Sequence, residues 1–271
     1  SPATREFWEI PVLYEDEYLL AVNKPSRLLS SPDRSDPHRP NLMRLLHEGI
    51  AQSKAWAVER KLAYLMNAHR LEFETSGVFL LVRDKPTLVA LANLFGAEKP
   101  VKRYVALVHG APGRARFEVH ARLAPPSSGP GFVRVDEKQG KRAVTCFSVA
   151  ERFSSWTLVQ CEPLTGRTHQ IRAHLRSVGH PIVGDTLYGG KALLLSQLKA
   201  GYQLKPGQRE HPLIGRVALH AEQLTFSHPA TGQMVAITAP WPRDFTAAVK
   251  YLRKFAGIAN DSAGVLPGQA F

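Results

Sequence analysis

The sequence predicts an α+β fold built on a mixed, mostly antiparallel central sheet. Strand-like and helix-like patterns alternate irregularly along the 271 residues, and turns rich in Gly and Pro separate many of them. Short turns join antiparallel neighbours, whereas parallel strands need long crossover connections. With 44% hydrophobic residues, the chain can also bury a substantial core. These features favour an antiparallel sheet over a doubly wound parallel one.

The first half of the chain begins with strands and continues with helices. Residues 11–23 show apolar stretches on either side of an acidic turn, which predicts a hairpin. A polar loop follows at residues 26–40, and apolar residues at helical spacing predict a helix from Asn41. Residues 77–82 form an apolar strand, after which Asp84 is the predicted N-cap of a second helix.

The second half contains more strands than helices. Strands are predicted at residues 101–109, 117–123, 142–153, 156–162, 217–227 and 234–239. Residues 168–178 are the best-marked helix, because apolar residues line one side and Gly179 can end it. Residues 191–204 are expected to be a helix or an insertion, and residues 242–255 a closing helix.

Composition limits the classes of protein that the chain can belong to. Its 35 Lys and Arg exceed its 23 Asp and Glu, which gives a net charge of +12. Such an excess favours a nucleic-acid partner, although a solvated basic surface is the alternative. Two cysteines and no signal-like apolar N-terminus indicate a reducing cytoplasm. No apolar run approaches the roughly 18 residues of a membrane span, so no membrane partner is expected.

The sequence offers no pattern for a metal or a cofactor. His169 and His174 are five residues apart and do not share a helix face, and no cysteine pair has metal-ligand spacing. Phosphate-binding and dinucleotide-binding glycine motifs are missing, as is the Gly-x-Ser-x-Gly motif of serine hydrolases. We therefore predict neither a cofactor nor a metal ion.

Residues 69–77 read His-Arg-Leu-Glu-Phe-Glu-Thr-Ser-Gly and lead directly into the predicted strand at residues 77–82. Loops held by a rigid sheet are common positions for catalytic groups. Glu72 is therefore a candidate catalytic carboxylate. On spacing alone, however, the favoured interpretation is that Glu72 and Glu74 are solvated turn residues, with Arg70 an ordinary ion-pair partner.

Two further stretches combine cations with groups that suit nucleic acid. In Lys102-Arg103-Tyr104, strand alternation places Lys102 and Tyr104 on one face and Arg103 on the other. This suits a phosphate contact beside a stacking ring, although a core tyrosine between surface cations is the alternative. Residues 163–175 read Pro-Leu-Thr-Gly-Arg-Thr-His-Gln-Ile-Arg-Ala-His-Leu and place Arg167 near a helix N-terminus, which favours anions.

The same helix carries a basic edge and is followed by a glycine-rich turn. Arg172 and Arg176 are one helical turn apart, which predicts that both face one side. Residues 179–189 contain three glycines, a proline and an aspartate. We interpret this stretch as a structural turn that braces the helix, with a chemical role for Asp185 as the less favoured alternative.

In this order and spacing, these segments resemble the RluA-type pseudouridine synthases. The similarity also includes Leu-Leu-Ala-Val-Asn-Lys-Pro at residues 19–25, Leu-His-Ala at residues 219–221 and His-Pro-Ala-Thr-Gly at residues 228–232. It implies a catalytic domain at residues 10–256 with terminal extensions at residues 1–9 and 257–271. The implied fold has two subdomains around an RNA-binding cleft.

The resemblance implies the isomerisation of uridine to pseudouridine in ribosomal or transfer RNA, after the target base has left its stack. Glu72 occupies the position of the catalytic carboxylate, Tyr104 that of the tyrosine that packs on the base and takes the C5 proton, and Arg167 that of the basic residue paired with the carboxylate. Arg70 matches a residue that holds the base out of the stack. The remaining predicted RNA-binding residues are Lys102, Arg103, His169 and Arg172. A monomer is expected.

Glu72 departs from the family pattern, which has aspartate at this position. Glutamate keeps the charge but adds one methylene group and one rotatable bond. Three explanations compete: an engineered change, a natural RNA-binding relative that has lost catalysis, or a backbone set back far enough for Glu72 to work. An impaired RNA-binding protein is therefore the alternative to an active synthase. A DNA-binding protein is less favoured, because no helix-turn-helix or zinc module is recognisable.

Overall fold

The structure is a computed structural model that describes residues 10–33, 36, 39–97, 99–126, 132–205 and 207–258. The strands are β1 (Val12–Glu15), β2 (Leu19–Lys24), β3 (Met66–Asn67), β4 (Ser76–Val82), β5 (Val101–His109), β6 (Arg116–Ala124), β7 (Arg134–Val135), β8 (Lys141–Arg152), β9 (Trp156–Pro163), β10 (Leu219–Ser227) and β11 (Met234–Thr238). The helices are α1 (Leu42–Ala51), α2 (Ala55–Glu59), α3 (Lys85–Gly96), α4 (Gln170–Ser177), α5 (Leu195–Leu198) and α6 (Arg243–Phe255). The predicted terminal extensions lie outside the described residues, apart from Gly257 and Ile258.

The described strands form one continuous sheet in the order β1-β2-β4-β10-β5-β9-β8-β6-β7, with β3 beside β4 and β11 beside β10. Strands β4 and β10 run parallel, and the other named strand pairs are antiparallel. The α+β fold with a mostly antiparallel sheet is thereby confirmed. The parallel pair joins the first and second halves of the chain at the middle of the sheet.

The first half of the sheet is buried on both faces. Alternate residues of β2 and β4 point to opposite sides, as strand geometry requires. Leu20 and Phe79 belong to a core that includes residues of α1 and α2, whereas Ala21 and Leu80 belong to a core that includes α3 and β11. This double coverage explains why β4 is apolar at nearly every position.

The second half of the sheet has its own core. Strands β5, β8 and β9 pack against α4 and α6, which contribute Leu175 and Leu252 among other buried residues. Tyr104 on β5 packs against this core and also against the core of α1 and α2. It therefore marks the junction between the two halves of the molecule.

The helices differ from the predictions mainly at their ends. Helix α4 begins at Gln170 rather than at Thr168, because His169 adopts a left-handed backbone with φ of 54° and cannot continue a helix. Only Leu195–Leu198 is helical within residues 191–204, so most of that segment is an insertion without regular structure. No helix of the described residues is long and apolar enough to span a membrane.

Candidate active site

Strand β4 is fixed to β10 by close backbone contact. Gly77 has φ of 118°, and a Cβ atom at this position would lie 2.1 Å from the carbonyl oxygen of Ala221. Only glycine fits such a contact and such a backbone angle. Ser76 donates to Nδ1 of His220 over 2.9 Å, while Nε2 of that ring faces the Ala239 carbonyl oxygen at 3.3 Å. The Thr-Ser-Gly and Leu-His-Ala stretches therefore anchor the strand that follows Glu72.

The segment just before Glu72 is held from the other side. The Ser30 hydroxyl accepts from the Leu71 N–H over 3.0 Å and donates to the Leu71 carbonyl oxygen over 2.6 Å. Both residues are buried. Glu72 thus extends from a backbone that is fixed at both ends. No motif in the sequence predicts this role of Ser30.

The Glu72 carboxylate is bound through both of its oxygens. The His169 N–H donates to Oε1 over 3.0 Å, and Nη1 of Arg172 donates to Oε2 over 2.8 Å. The side chain retains 28% of its exposure, so the carboxylate remains accessible from the solvent side. A charged acceptor oriented in this way is suited to act on a bound substrate.

Arg172 is itself locked by a second carboxylate. Its Nε and Nη2 atoms donate to the two oxygens of Asp185 over 2.7 and 2.8 Å, a bidentate geometry. Burial opposes the charged form of Arg172, but the hydrogen bonds and negative charges of Asp185 and Glu72 outweigh it and raise the pKa. Asp185 is fully buried, so the predicted brace in the glycine-rich turn acts directly on the arginine of α4.

Two predictions for the arginines are therefore wrong. The carboxylate pairs with Arg172 and not with Arg167, which precedes α4, is exposed and donates from Nε to the Arg142 carbonyl oxygen over 3.1 Å. Arg172 does not share an exposed basic edge with Arg176, because its side chain is only 10% exposed and is paired with Glu72 and Asp185. Arg176 is the exposed member of that pair.

His169 connects the carboxylate to a buried tyrosine. Its Nδ1 atom lies 3.0 Å from the Tyr188 hydroxyl, and its Nε2 atom lies 3.9 Å from Glu72 Oε2. Burial lowers the pKa of His169, which keeps the ring neutral near pH 7. His169 therefore binds Glu72 through its backbone N–H and not through a charged ring. The left-handed φ of His169 directs this N–H to the carboxylate.

Tyr104 lies close enough to Glu72 to feel its charge, and Arg103 lies on the other face of β5. Arg103 contacts Gln223 and Glu162, at 3.2 and 3.6 Å, on the opposite face. The predicted alternation along β5 is thus confirmed, but it places Arg103 away from Glu72. Burial, and then the negative charge of Glu72, raise the pKa of Tyr104, so its phenol is neutral. Lys102 lies beside the turn before α4. Its Nζ atom is 3.8 Å from the position that a Cβ atom would occupy if Gly166 carried a side chain.

The other polar residues of the 69–77 stretch have separate functions. Glu74 accepts from the Val217 N–H over 3.1 Å and so supports the chain that leads into β10. His69 accepts from the Leu80 N–H at 3.1 Å, and burial lowers its pKa to about 4. Arg70 is exposed. Of the two carboxylates at residues 69–77, Glu72 therefore faces the site, whereas Glu74 does not. Arg70 is the exposed cation of the same stretch.

A fully buried lysine supports the loop beneath the site. Lys24 Nζ donates to the carbonyl oxygens of Pro25 and Leu28 over 2.8 and 2.6 Å. Burial, and then the charge of Arg216, lower its pKa to about 7. The lysine of the Lys-Pro turn is therefore a structural residue that folds the start of the polar loop.

The site therefore combines a fixed carboxylate, a neutral aromatic ring and exposed cations. Among the described residues, no cluster of His, Cys, Asp and Glu could hold a metal ion. Glu72 precedes β4 in the first half of the sheet, and Tyr104 lies on β5 in the second half. The site therefore lies where the two halves of the sheet meet. Such an arrangement can hold a planar base against Tyr104 and present its sugar to a carboxylate.

Comparison with known proteins identifies the family of the chain. The model of the RNA pseudouridylate synthase family matches residues 18–177, which is more than half of the chain. The chain belongs to this family. Its members convert uridine to pseudouridine in RNA, so the chain is an isomerase and RNA is its substrate.

Individual relatives are similar over most of the chain. Ribosomal large subunit pseudouridine synthase C of Salmonella typhi is 34% identical over 244 residues, which cover 89% of this chain and 70% of the relative. The dual-specificity RNA pseudouridine synthase RluA of Salmonella typhi is 33% identical over 237 residues, covering 87% and 94%. A solved structure of human RNA pseudouridylate synthase domain containing 4 shares the fold, with a TM-score of 0.66, 24% identity and coverage of 89% and 92%.

Proposed function

We propose that this chain isomerises specific uridines in ribosomal RNA and that Glu72 acts as the catalytic carboxylate in the position of the family's aspartate. The single observation that supports this best is the pair of hydrogen bonds on Glu72, from the His169 N–H and from Arg172. The added methylene group does not detach the carboxylate from its partners. Instead, both partners lie at ordinary hydrogen-bond distance from the longer side chain.

The proposed reaction exchanges one glycosidic bond for another. The N1–C1′ bond breaks, the uracil turns over, and C5 bonds to C1′; the C5 proton is lost and N1 gains one. Glu72 would act on the ribose–base unit to begin bond breakage. Since both of its oxygens are already oriented, the carboxylate needs little reorganisation during the reaction.

Tyr104 is the proposed platform for the uracil and the acceptor of the C5 proton. Its phenol is neutral before the reaction, because burial and the charge of Glu72 raise its pKa. The phenol oxygen would therefore accept the C5 proton while its own proton passes to solvent, and N1 of the uracil would take a proton from solvent. The neutral ring is also the state that stacks on a base without adding charge near Glu72.

RNA would bind to the exposed cations around the carboxylate. Arg167 and Arg70 are exposed, and we propose that Arg167 contacts phosphate while Arg70 holds the space that the flipped base vacates. Ribosomal RNA is the proposed target because relatives such as synthase C and the Xylella fastidiosa synthase D, which is 34% identical over 258 residues, are named for the large ribosomal subunit. The monomeric state and the cytoplasmic location stay predictions.

An impaired RNA-binding protein is the less favoured alternative. Tyr104 is retained at the junction, and Arg172 is paired with Glu72 in a buried network. A chain that had only to bind RNA would not need such an arrangement around one carboxylate. The names of the relatives above are those of synthases.

Release of tritium from C5-labelled uridine in RNA tests the role of Glu72. We expect release by the wild-type chain and a loss of at least about 10³-fold in the Glu72→Gln variant, which keeps the shape and removes the charge. Glu72→Asp is the matched control with the charge kept. It should be slower by on the order of 10²-fold, because the carboxylate retracts by more than about 1 Å from Arg172 and His169.

The opposite ranking would contradict the proposal. If the wild-type chain releases no tritium and Glu72→Asp does, the glutamate is the lesion and the chain is a synthase disabled at one position. If neither releases tritium while both bind RNA, the RNA-binding alternative replaces the enzyme.

A further inference from the structure

One exposed aromatic ring lies near the site without a role in the reaction described above. Phe132 is 41% exposed and is the only exposed aromatic side chain among the described residues. A single exposed hydrophobic side chain is ordinary on a protein surface. The surroundings of Phe132 distinguish it from such a case.

The backbone next to Phe132 is hydrogen-bonded to Tyr188, which contacts His169 of the site. Val133 is buried, its N–H donates to the Tyr188 hydroxyl over 2.9 Å, and its carbonyl oxygen lies 3.2 Å from the same hydroxyl. The rings of Phe132 and Tyr188 meet edge to face, with 5.8 Å between centroids. Tyr188 in turn contacts His169, whose backbone holds Glu72. The ring therefore has a defined position three contacts away from the carboxylate, with Tyr188 and His169 between them.

A cation lies over the exposed ring, so a base that stacks on Phe132 would use the opposite face. The guanidinium of Arg176 is 5.2 Å from the centroid of Phe132, and Arg176 is exposed at the end of α4. Among the described residues, no carboxylate lies within ion-pair distance of Arg176. Its positive charge is thus available to a ligand, whereas that of Arg172 on the same helix is neutralised by Glu72 and Asp185.

An exposed ring next to an available guanidinium matches the two chemical parts of a nucleotide. Bases stack on aromatic side chains regardless of sequence, and guanidinium groups bind phosphate. We propose that Phe132 and Arg176 form a subsite for a nucleotide that flanks the target uridine: its base stacks on Phe132 and its phosphate binds Arg176. This inference rests on the proposed RNA-modifying function and adds a determinant of RNA binding outside the reacting centre.

Binding of two different ligands distinguishes the contribution of base stacking from that of phosphate charge. The probes are an unmodified large-subunit rRNA transcript and inorganic polyphosphate, which carries the charge but no bases. Dissociation constants are measured for Phe132→Leu, Phe132→Tyr and Arg176→Ala, with Val89→Ala as the control at another exposed hydrophobic residue, on α3. Leucine keeps the apolar contact with Tyr188 but cannot stack on a base, and tyrosine restores the ring.

We expect Phe132→Leu to bind the transcript about tenfold more weakly and polyphosphate as the wild type does. Phe132→Tyr should bind both as the wild type does, and Arg176→Ala should weaken both ligands by a few-fold. In tritium release, Phe132→Leu should raise KM and leave kcat unchanged, because the subsite is outside the reacting centre.

Three results would overturn the subsite: unchanged transcript affinity in Phe132→Leu, failure of Phe132→Tyr to restore it, or a fall in kcat with KM unchanged. The last result would show that Phe132 only supports Tyr188 and His169. Failure of the proposed reaction is separate, since it would appear as absent tritium release by the wild type while the binding comparison remained measurable.

Discussion

The arginines around Glu72 fall into two groups that share chemistry but differ in burial. The inner cluster consists of Glu72, Arg172 and Asp185, in which one guanidinium is hydrogen-bonded to two carboxylates. The outer cations are Arg70, Arg167 and Arg176, all of which are exposed. Buried charges need fixed partners, whereas exposed charges are screened and free to meet a ligand. The inner cluster therefore positions the carboxylate, and the outer cations are suited to hold RNA.

Among the arginines, the largest expected effect comes from breaking the inner cluster at Arg172. The Arg172→Ala variant should lose at least about 10²-fold in tritium release and about 3–5 kcal/mol of unfolding free energy, because two carboxylates lose their shared partner. Denaturant unfolding and the release assay measure the two effects. Arg176→Ala, one helical turn later, is the matched control. Equal losses of tritium release and of unfolding free energy in both variants would contradict the division into an inner cluster and outer cations.

The buried histidines around the site should make stability depend on pH. Burial lowers the pKa values of His174 and His220 to about 4, below the value of about 6.5 for an unfolded histidine. The unfolded chain then binds more protons between these values, so stability is present above pH 6.5 and is lost as the pH falls towards 4. Each histidine should contribute up to about 1.4 kcal/mol per pH unit in this window.

The slope of unfolding free energy between pH 6.5 and 5 measures this effect. A double variant with His174→Gln and His220→Gln should show a shallower slope, whatever its absolute stability. His211→Gln is the control, because His211 is exposed. An unchanged slope in the double variant would mean that other groups cause the acid sensitivity.

The smallest expected effect is at the outer cations. RNA affinity should fall steeply with salt, and Arg167→Ala should reduce the slope of log affinity against log salt by about 0.7–0.9, the contribution of one phosphate contact. Tritium release at saturating RNA should change little. Filter binding across a salt series checks this, with exposed Lys254→Ala on α6 as the control. A flat salt response of the wild type would contradict RNA binding by the outer cations.

Much of the fold was predictable because it depends on local patterns. The apolar run of β4, the N-cap at Asp84 and the alternation of Lys102, Arg103 and Tyr104 all reappear in the structure. The start of α4 was less predictable. The left-handed backbone of His169 has no strong signal in a residue other than glycine, yet it moves the helix start and directs an N–H group to Glu72.

The family, the sheet-based fold and the position of Glu72 could all be inferred from the amino-acid sequence, because ordered motifs and periodicity are properties of the chain alone. The identity of the arginine that pairs with this carboxylate, in contrast, depends on how the chain folds. Arg167, Arg172 and Arg176 lie within ten residues and carry the same charge, so spacing alone left their roles open. Asp185 binds Arg172 from the turn that follows α4. This contact across the fold separates the buried partner of Glu72 from the exposed cations that we propose to hold RNA.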